Sequence, residues 1–135
     1  MLNENQITDL LAEYFIDMGC QIISKLTTTQ KGIDLIITDK DKITIYIEVK
    51  GGTSARAGSN RYDLPFSSKQ IPNHIGRAIL ATFKAMEIYG TEGRKYAIAF
   101  PDTTSHETSL KGIRSALQRL EIITYLVSKN GVRIL

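Results

Sequence analysis

Between Ile33 and Lys50 apolar and polar residues alternate with a period of two. Ile33, Leu35 and Ile37 alternate with Asp34, Ile36 and Thr38, and beyond a charged turn Ile43, Ile45, Ile47 and Val49 alternate with Thr44, Tyr46, Glu48 and Lys50. Such alternation predicts two strands with unlike faces. If Ile33, Leu35 and Ile37 face Val49, Ile47 and Ile45, one side of the hairpin is wholly aliphatic, Asp34 lies opposite Glu48 and Ile36 opposite Tyr46. That register requires an odd-numbered loop, such as Lys40-Asp41-Lys42 between Asp39 and Ile43, of the three-residue bulged type.

Helical spacing dominates elsewhere. Ile7, Leu10, Leu11, Tyr14, Phe15 and Met18 predict a first helix over Asn5 to Met18, stopped by Gly19, and Cys20 to Leu26 predicts the first strand. Gly51 to Phe66 is polar and rich in Gly and Ser, the composition of a long loop. Ser67 or Ser68 is then suited to cap a helix with Pro72 in its first turn and Ile71, Ile75, Ala78, Ile79, Phe83 and Met86 as its apolar stripe. Lys95 to Phe100 reads as a fourth strand closed by Pro101, His106 to Leu120 as an amphipathic helix, and Ile122 to Val127 and Val132 to Leu135 as strands around Lys129-Asn130-Gly131.

Composition narrows the class. At 135 residues and 42% hydrophobic side chains the chain can bury a core unaided, so residues 1–135 are expected to form a single domain. The lone cysteine, Cys20, excludes an internal disulfide, fits a reducing compartment and is expected to be a small buried residue. With neither a signal-like N-terminus nor an apolar run of membrane-spanning length, a cytoplasmic protein is expected, with no membrane partner.

The chemistry lies on the polar face of the hairpin. Two carboxylates opposed across a ladder repel, and a divalent cation between them reverses the sign of that interaction. Mg²⁺ takes oxygen ligands, typically one or two carboxylates with waters and substrate phosphate oxygens completing the shell. Lys50, two residues and roughly 7 Å along the strand from Glu48, is placed to hold a metal-activated water or stabilise charge on a phosphate. The set suits phosphodiester hydrolysis. A zinc site is not expected, because His74 and His106 lack neighbouring Cys or His.

The order Asp34, then Glu48-Val49-Lys50 at a strand end, then Gly51-Gly52 resembles the PD-(D/E)XK nuclease superfamily, in particular its Holliday-junction-resolvase-like branch. The resemblance implies the restriction-endonuclease-like α/β fold: an αβββαβ core whose central mixed sheet is flanked by helices, here with a C-terminal helix and strand extension. It implies Asp34 and Glu48 as ligands of Mg²⁺ or Mn²⁺, the Val49 backbone as a third, Lys50 as the catalytic lysine, and Gln70, at the start of the next helix, as an auxiliary catalytic residue. The proline usual before the aspartate is replaced by Gly32-Ile33, and the helix glutamate of the family has no assignment: Glu13 points away from the apolar stripe, and Glu4 lies nearer it but at the helix end. Relatives that form two-fold dimers make a homodimer an expectation too, although no surface identifies itself in the sequence.

Charge supplies a separate indication. From Lys50 to Lys84 six basic residues face one acid, Asp63, a formal +5 against +3 for the whole chain. Arg56, Arg61, Lys69 and Arg77 are the expected nucleic-acid contacts, neutralising phosphates with little sequence information, and Tyr62 and Phe66 are candidates for stacking on bases. Gln70, His74 and Arg77 share one side of their helix. DNA is the favoured substrate. RNA, as for a tRNA-cutting toxin-type nuclease, and a non-catalytic nucleic-acid-binding module of the same fold are the alternatives.

Overall fold

The computed structural model describes residues 1–53 and 69–135. The expectations for Arg56, Arg61, Tyr62, Phe66, Ser67 and Ser68 fall outside these residues. Helix α1 (Glu4–Asp17) opens on a reciprocal cap in which Asn3 Oδ1 accepts from Gln6 N at 2.9 Å while Gln6 Oε1 accepts from Asn3 N at 2.9 Å. It buries Ile7, Leu11 and Phe15 at four-residue spacing and ends where Gly19 turns into the left-handed region at φ +83°.

Strands β1 (Gln21–Lys25), β2 (Leu35–Thr38) and β3 (Thr44–Val49) form an antiparallel meander. The β2–β3 pairs are Leu35 with Ile47, Ile36 with Tyr46 and Ile37 with Ile45, the expected register. The connecting loop is Lys40-Asp41-Lys42, again as expected. Asp39 N donates to Ile43 O at 3.0 Å, and Lys42 takes the left-handed position at φ +62°. Asp39 Oδ1 steadies this turn by accepting from the amides of Asp41 and Ile43.

One residue departs from the alternation. Ile33 does not join Leu35 and Ile37, but packs with Ile36 on the opposite side, against Tyr46, Ala85 and Tyr96. The backbone bends at Asp34 before β2 begins, so the period-two pattern starts only at Leu35.

Helix α2 (Gln70–Tyr89) crosses over to β4 (Arg94–Pro101), which lies parallel to β3. Its N-cap is Lys69, which makes no side-chain cap bond. The buried stripe is Ile71, Ile75, Ala78, Thr82 and Ala85, while Phe83 is 41% exposed, contrary to its expected place in the stripe. Thr82 is tolerated in the interior because its hydroxyl donates to Ala78 O within the helix at 2.7 Å.

The expected helix from His106 to Leu120 is two: α3 (Thr104–Lys111) and α4 (Arg114–Arg119). Thr103 starts α3 earlier by capping His106 N, and Gly112, a poor helix former, ends it. Strand β5 (Ile122–Ser128) is parallel to β4, and β6 (Gly131–Ile134) returns antiparallel after a turn closed by Ser128 and Gly131.

The result is an α/β architecture: a six-stranded mixed sheet among the described residues, in the order β1-β2-β3-β4-β5-β6, with helices on both faces. Alternation along β4 divides the core. Ala97 and Ala99 pack toward Ile7, Leu11 and Phe15 of α1, whereas Ile98 and Phe100 pack toward Ile71, Ile75 and Ala78 of α2 and Leu110 of α3. No helix among the described residues is long and apolar enough to cross a membrane. Cys20 is half-buried and packs at the edge of the α1 core, with burial pushing its thiol pKa up.

Candidate functional site

The last residues of β3 present the candidate side chains where the strand ends and the chain turns. Lys50 N donates to Ala99 O at 3.0 Å, which extends the parallel pairing one step beyond Val49 and fixes the backbone beneath the Lys50 side chain. Lys50 Nζ lies 3.3 Å from Glu48 Oε1, an ion pair whose side chains are only 18% and 17% exposed. Period-two geometry puts both on one face of the strand, as the sequence indicates.

Asp34 reaches the same point from the start of β2. Since Leu35 pairs with Ile47, Asp34 is level with Glu48. Its Oδ2 accepts from Val49 N at 2.7 Å, a charge-assisted bond that locks the carboxylate across the hairpin. Val49 thus enters the site through its N–H.

A third carboxylate, on α1, lies within range of these charges. Glu4 is half-buried and feels the charges of Asp34, Lys50 and Glu48. The helix end comes this close because Gly51 has no side chain: a Cβ there would collide with the backbone at Asn3 and Glu4. Gly52 N donates to Leu2 O at 2.8 Å, and a bridge pairs Asn3 with Thr53, tying the N-terminus beside the end of β3. Glu13 is exposed. The sequence left the helix carboxylate open between these two. Its missed signal was the combination of a capping box at Asn3 with two successive glycines after Lys50.

Electrostatics follow from crowding. Burial is the largest cause that raises Glu48 to a pKa of about 7, followed by the charge of Asp34, with Lys50 opposing. Glu4 is likewise raised to about 7, first by burial, then by Asp34, with Glu48 adding and Lys50 opposing. Burial also raises Asp34, but the Val49 amide and Lys50 hold it down. The net direction for Asp34 is still upward.

Gln70 is the first residue of α2 and half-buried. Next on the same side, His74 has its pKa lowered by burial and then by the charges of Lys50 and Arg77, so this face of α2 borders the site. Lys69 and Arg77 are exposed near the start of the helix. His106 is 2% exposed, its Nδ1 lying 2.6 Å from Thr103 Oγ1, which supplies the partner that the sequence did not name.

A hard divalent cation suits this donor set. The donors are carboxylate oxygens, they are partly withdrawn from water, and their mutual repulsion is only partly offset by one ammonium. Among the described residues no three His, Cys, Asp or Glu side chains are already gathered as a metal cage.

Compared with protein-family models, curated proteins and solved structures, the chain finds no match.

Proposed function

We propose that the protein is a metal-dependent nuclease of the restriction-endonuclease-like fold, hydrolysing phosphodiester bonds in nucleic acid, with DNA the first substrate. The observation that carries the reading is the Glu48–Lys50 ion pair at the end of β3 beside the Asp34 carboxylate held on Val49 N, with Glu4 within reach of their charges. The element order supports it, because a helix, an antiparallel three-stranded meander, a crossover helix and a parallel strand are the αβββαβ arrangement that the resemblance implies. The strands and helices beyond β4 then form the C-terminal extension.

Mg²⁺ or Mn²⁺ held by Asp34 and Glu48, with Glu4 beside them, would supply Lewis-acid activation of water and charge neutralisation at the phosphate. The chain's own groups do the rest. Val49 N–H holds Asp34 in place and favours its charged form against burial. Lys50 opposes the rise of the Glu48 pKa and would offer a donor to the anionic centre that grows during attack on phosphorus. His74 borders the site from α2, Gln70 starts that helix one turn earlier as the auxiliary candidate, and Lys69 and Arg77 offer positive charge for flanking phosphates.

Labelled double-stranded DNA and structured RNA are incubated with purified protein in Mg²⁺, in Mn²⁺ and in EDTA, beside an Asp34→Asn variant. Metal-dependent cleavage of DNA that the variant lacks is the expected result. Cleavage confined to RNA moves the substrate to the alternative, and salt-sensitive binding without cutting in either metal identifies a non-catalytic module.

A further inference from the structure

A second feature lies away from the carboxylate site. A cavity of about 590 Å³ lies where β4 and β5 begin, under α4 and the C-terminal end of α2. The β3–β4 register pairs Lys95 at its rim with Ile45, three residues and so roughly 10 Å along the strand from Glu48. The cavity's volume falls in the range of small-molecule sites, about 300–1,000 Å³.

The lining is divided by polarity. Met86, Leu117, Ile122 and Ile43 supply an apolar floor, and Leu120 and Ile134 stand at 45% and 60% exposed. Around them are three cations, Arg94, Lys95 and Arg114, against one acid, Glu121. Arg94 is fixed in place, its Nε donating to Tyr46 Oη at 3.3 Å and one terminal nitrogen donating to Glu92 O at 3.2 Å. Neither Lys95 nor Arg114 forms an ion pair among the described residues. Apolar volume beside a net positive charge selects for a ligand with both properties.

We propose that this cavity binds a small amphipathic organic anion, a carboxylate on an apolar body, with the carboxylate at Lys95 and Arg114 and the body over Leu117 and Ile122. The site is independent of the carboxylate cluster and of the nuclease reading.

The probe is octanoate, titrated into the ¹⁵N-labelled protein, with acetate and 1-octanol as the head and the body alone. Saturable one-to-one binding is expected, with shifts confined to residues lining the cavity and each fragment at least about tenfold weaker. Arg114→Glu and Lys95→Glu, both at exposed positions, are each expected to weaken octanoate about tenfold with the melting temperature unchanged. Glu48→Gln leaves binding intact. The proposal is overturned if octanoate fails to saturate, if octanol binds as tightly, if the shifts fall elsewhere, or if both charge reversals bind like the parent protein.

Discussion

Gly51 lies against the backbone of Glu4, and this approach brings the first turn of α1 to the carboxylates of the hairpin. Gly51→Ala would place a methyl group where the helix backbone runs, and backbone cannot swing aside as a flexible side chain can. The variant is expected to lose about 1–3 kcal/mol of stability as the α1 terminus is pushed outward. Denaturant unfolding measures that loss. Metal titration of the folded fraction should show weaker affinity, and an unchanged unfolding midpoint would mean that the contact is not tight.

Lys50 and Glu48 form a half-buried pair, so removing the ammonium acts twice. In the proposed mechanism Lys50→Ala deprives the phosphate of a donor, and it also removes the charge that opposes the rise of the Glu48 and Glu4 pKa values. Cleavage is expected to fall by about 10²–10³-fold, with the melting temperature and nucleic-acid binding largely retained. Undiminished cleavage by this variant in Mg²⁺ would rule out the mechanism.

The raised carboxyls set a pH dependence whose sign is fixed. Glu4 and Glu48 titrate at about 7 in the folded, metal-free protein and near their ordinary value of 4.5 when unfolded, so between these limits the folded state holds more protons. Their contribution to stability is complete below 4.5 and is lost as the pH rises through 7. Protons and a divalent cation compete for the same oxygens, so the Mg²⁺-induced rise in melting temperature should be larger at pH 8 than at pH 5.5. Glu4→Gln should raise the metal-free melting temperature at pH 8 and reduce the Mg²⁺-induced shift. A lower metal-free melting temperature would show that the three carboxylates do not strain one another.

His106 works in the opposite direction. Burial lowers its pKa from the ordinary 6.5 to about 4, so the unfolded chain takes up a proton that the folded one refuses. Stability present above pH 6.5 is lost as the pH falls toward 4. The loss is on the order of 2 kcal/mol once partial screening is allowed for. Denaturation of His106→Asn, which keeps a polar atom near Thr103, should show a lower starting stability and a flatter acid limb than the parent. Parallel acid limbs would show that this imidazole is not the source.

The local pattern settled a good deal. Alternation placed Leu35, Ile37, Ile45 and Ile47 on one face, and with them came the β2–β3 register and the three-residue loop at Lys40-Asp41-Lys42. Register is legible in a chain because a slip of one residue would carry every aliphatic side chain into water. The same reasoning placed Glu48 and Lys50 side by side and Asp34 opposite them. It misjudged Ile33, where the bend at Asp34 interrupts the period, and the helix after Thr103, where a cap and a glycine outweigh the apolar spacing.

Glu4 belonged to the fold alone. The period of α1 sets Glu4 nearer the apolar stripe than Glu13 but says nothing of what meets the helix end. Its place among the carboxylates follows from Gly51 meeting the helix backbone, an approach between segments more than forty residues apart. The cavity beneath α4 arose the same way, from the ends of β4 and β5 meeting α2 and the last residues of the chain. Periodicity reports which side of an element turns inward. Which elements then meet, and what charge they bring together, depends on packing across the whole chain.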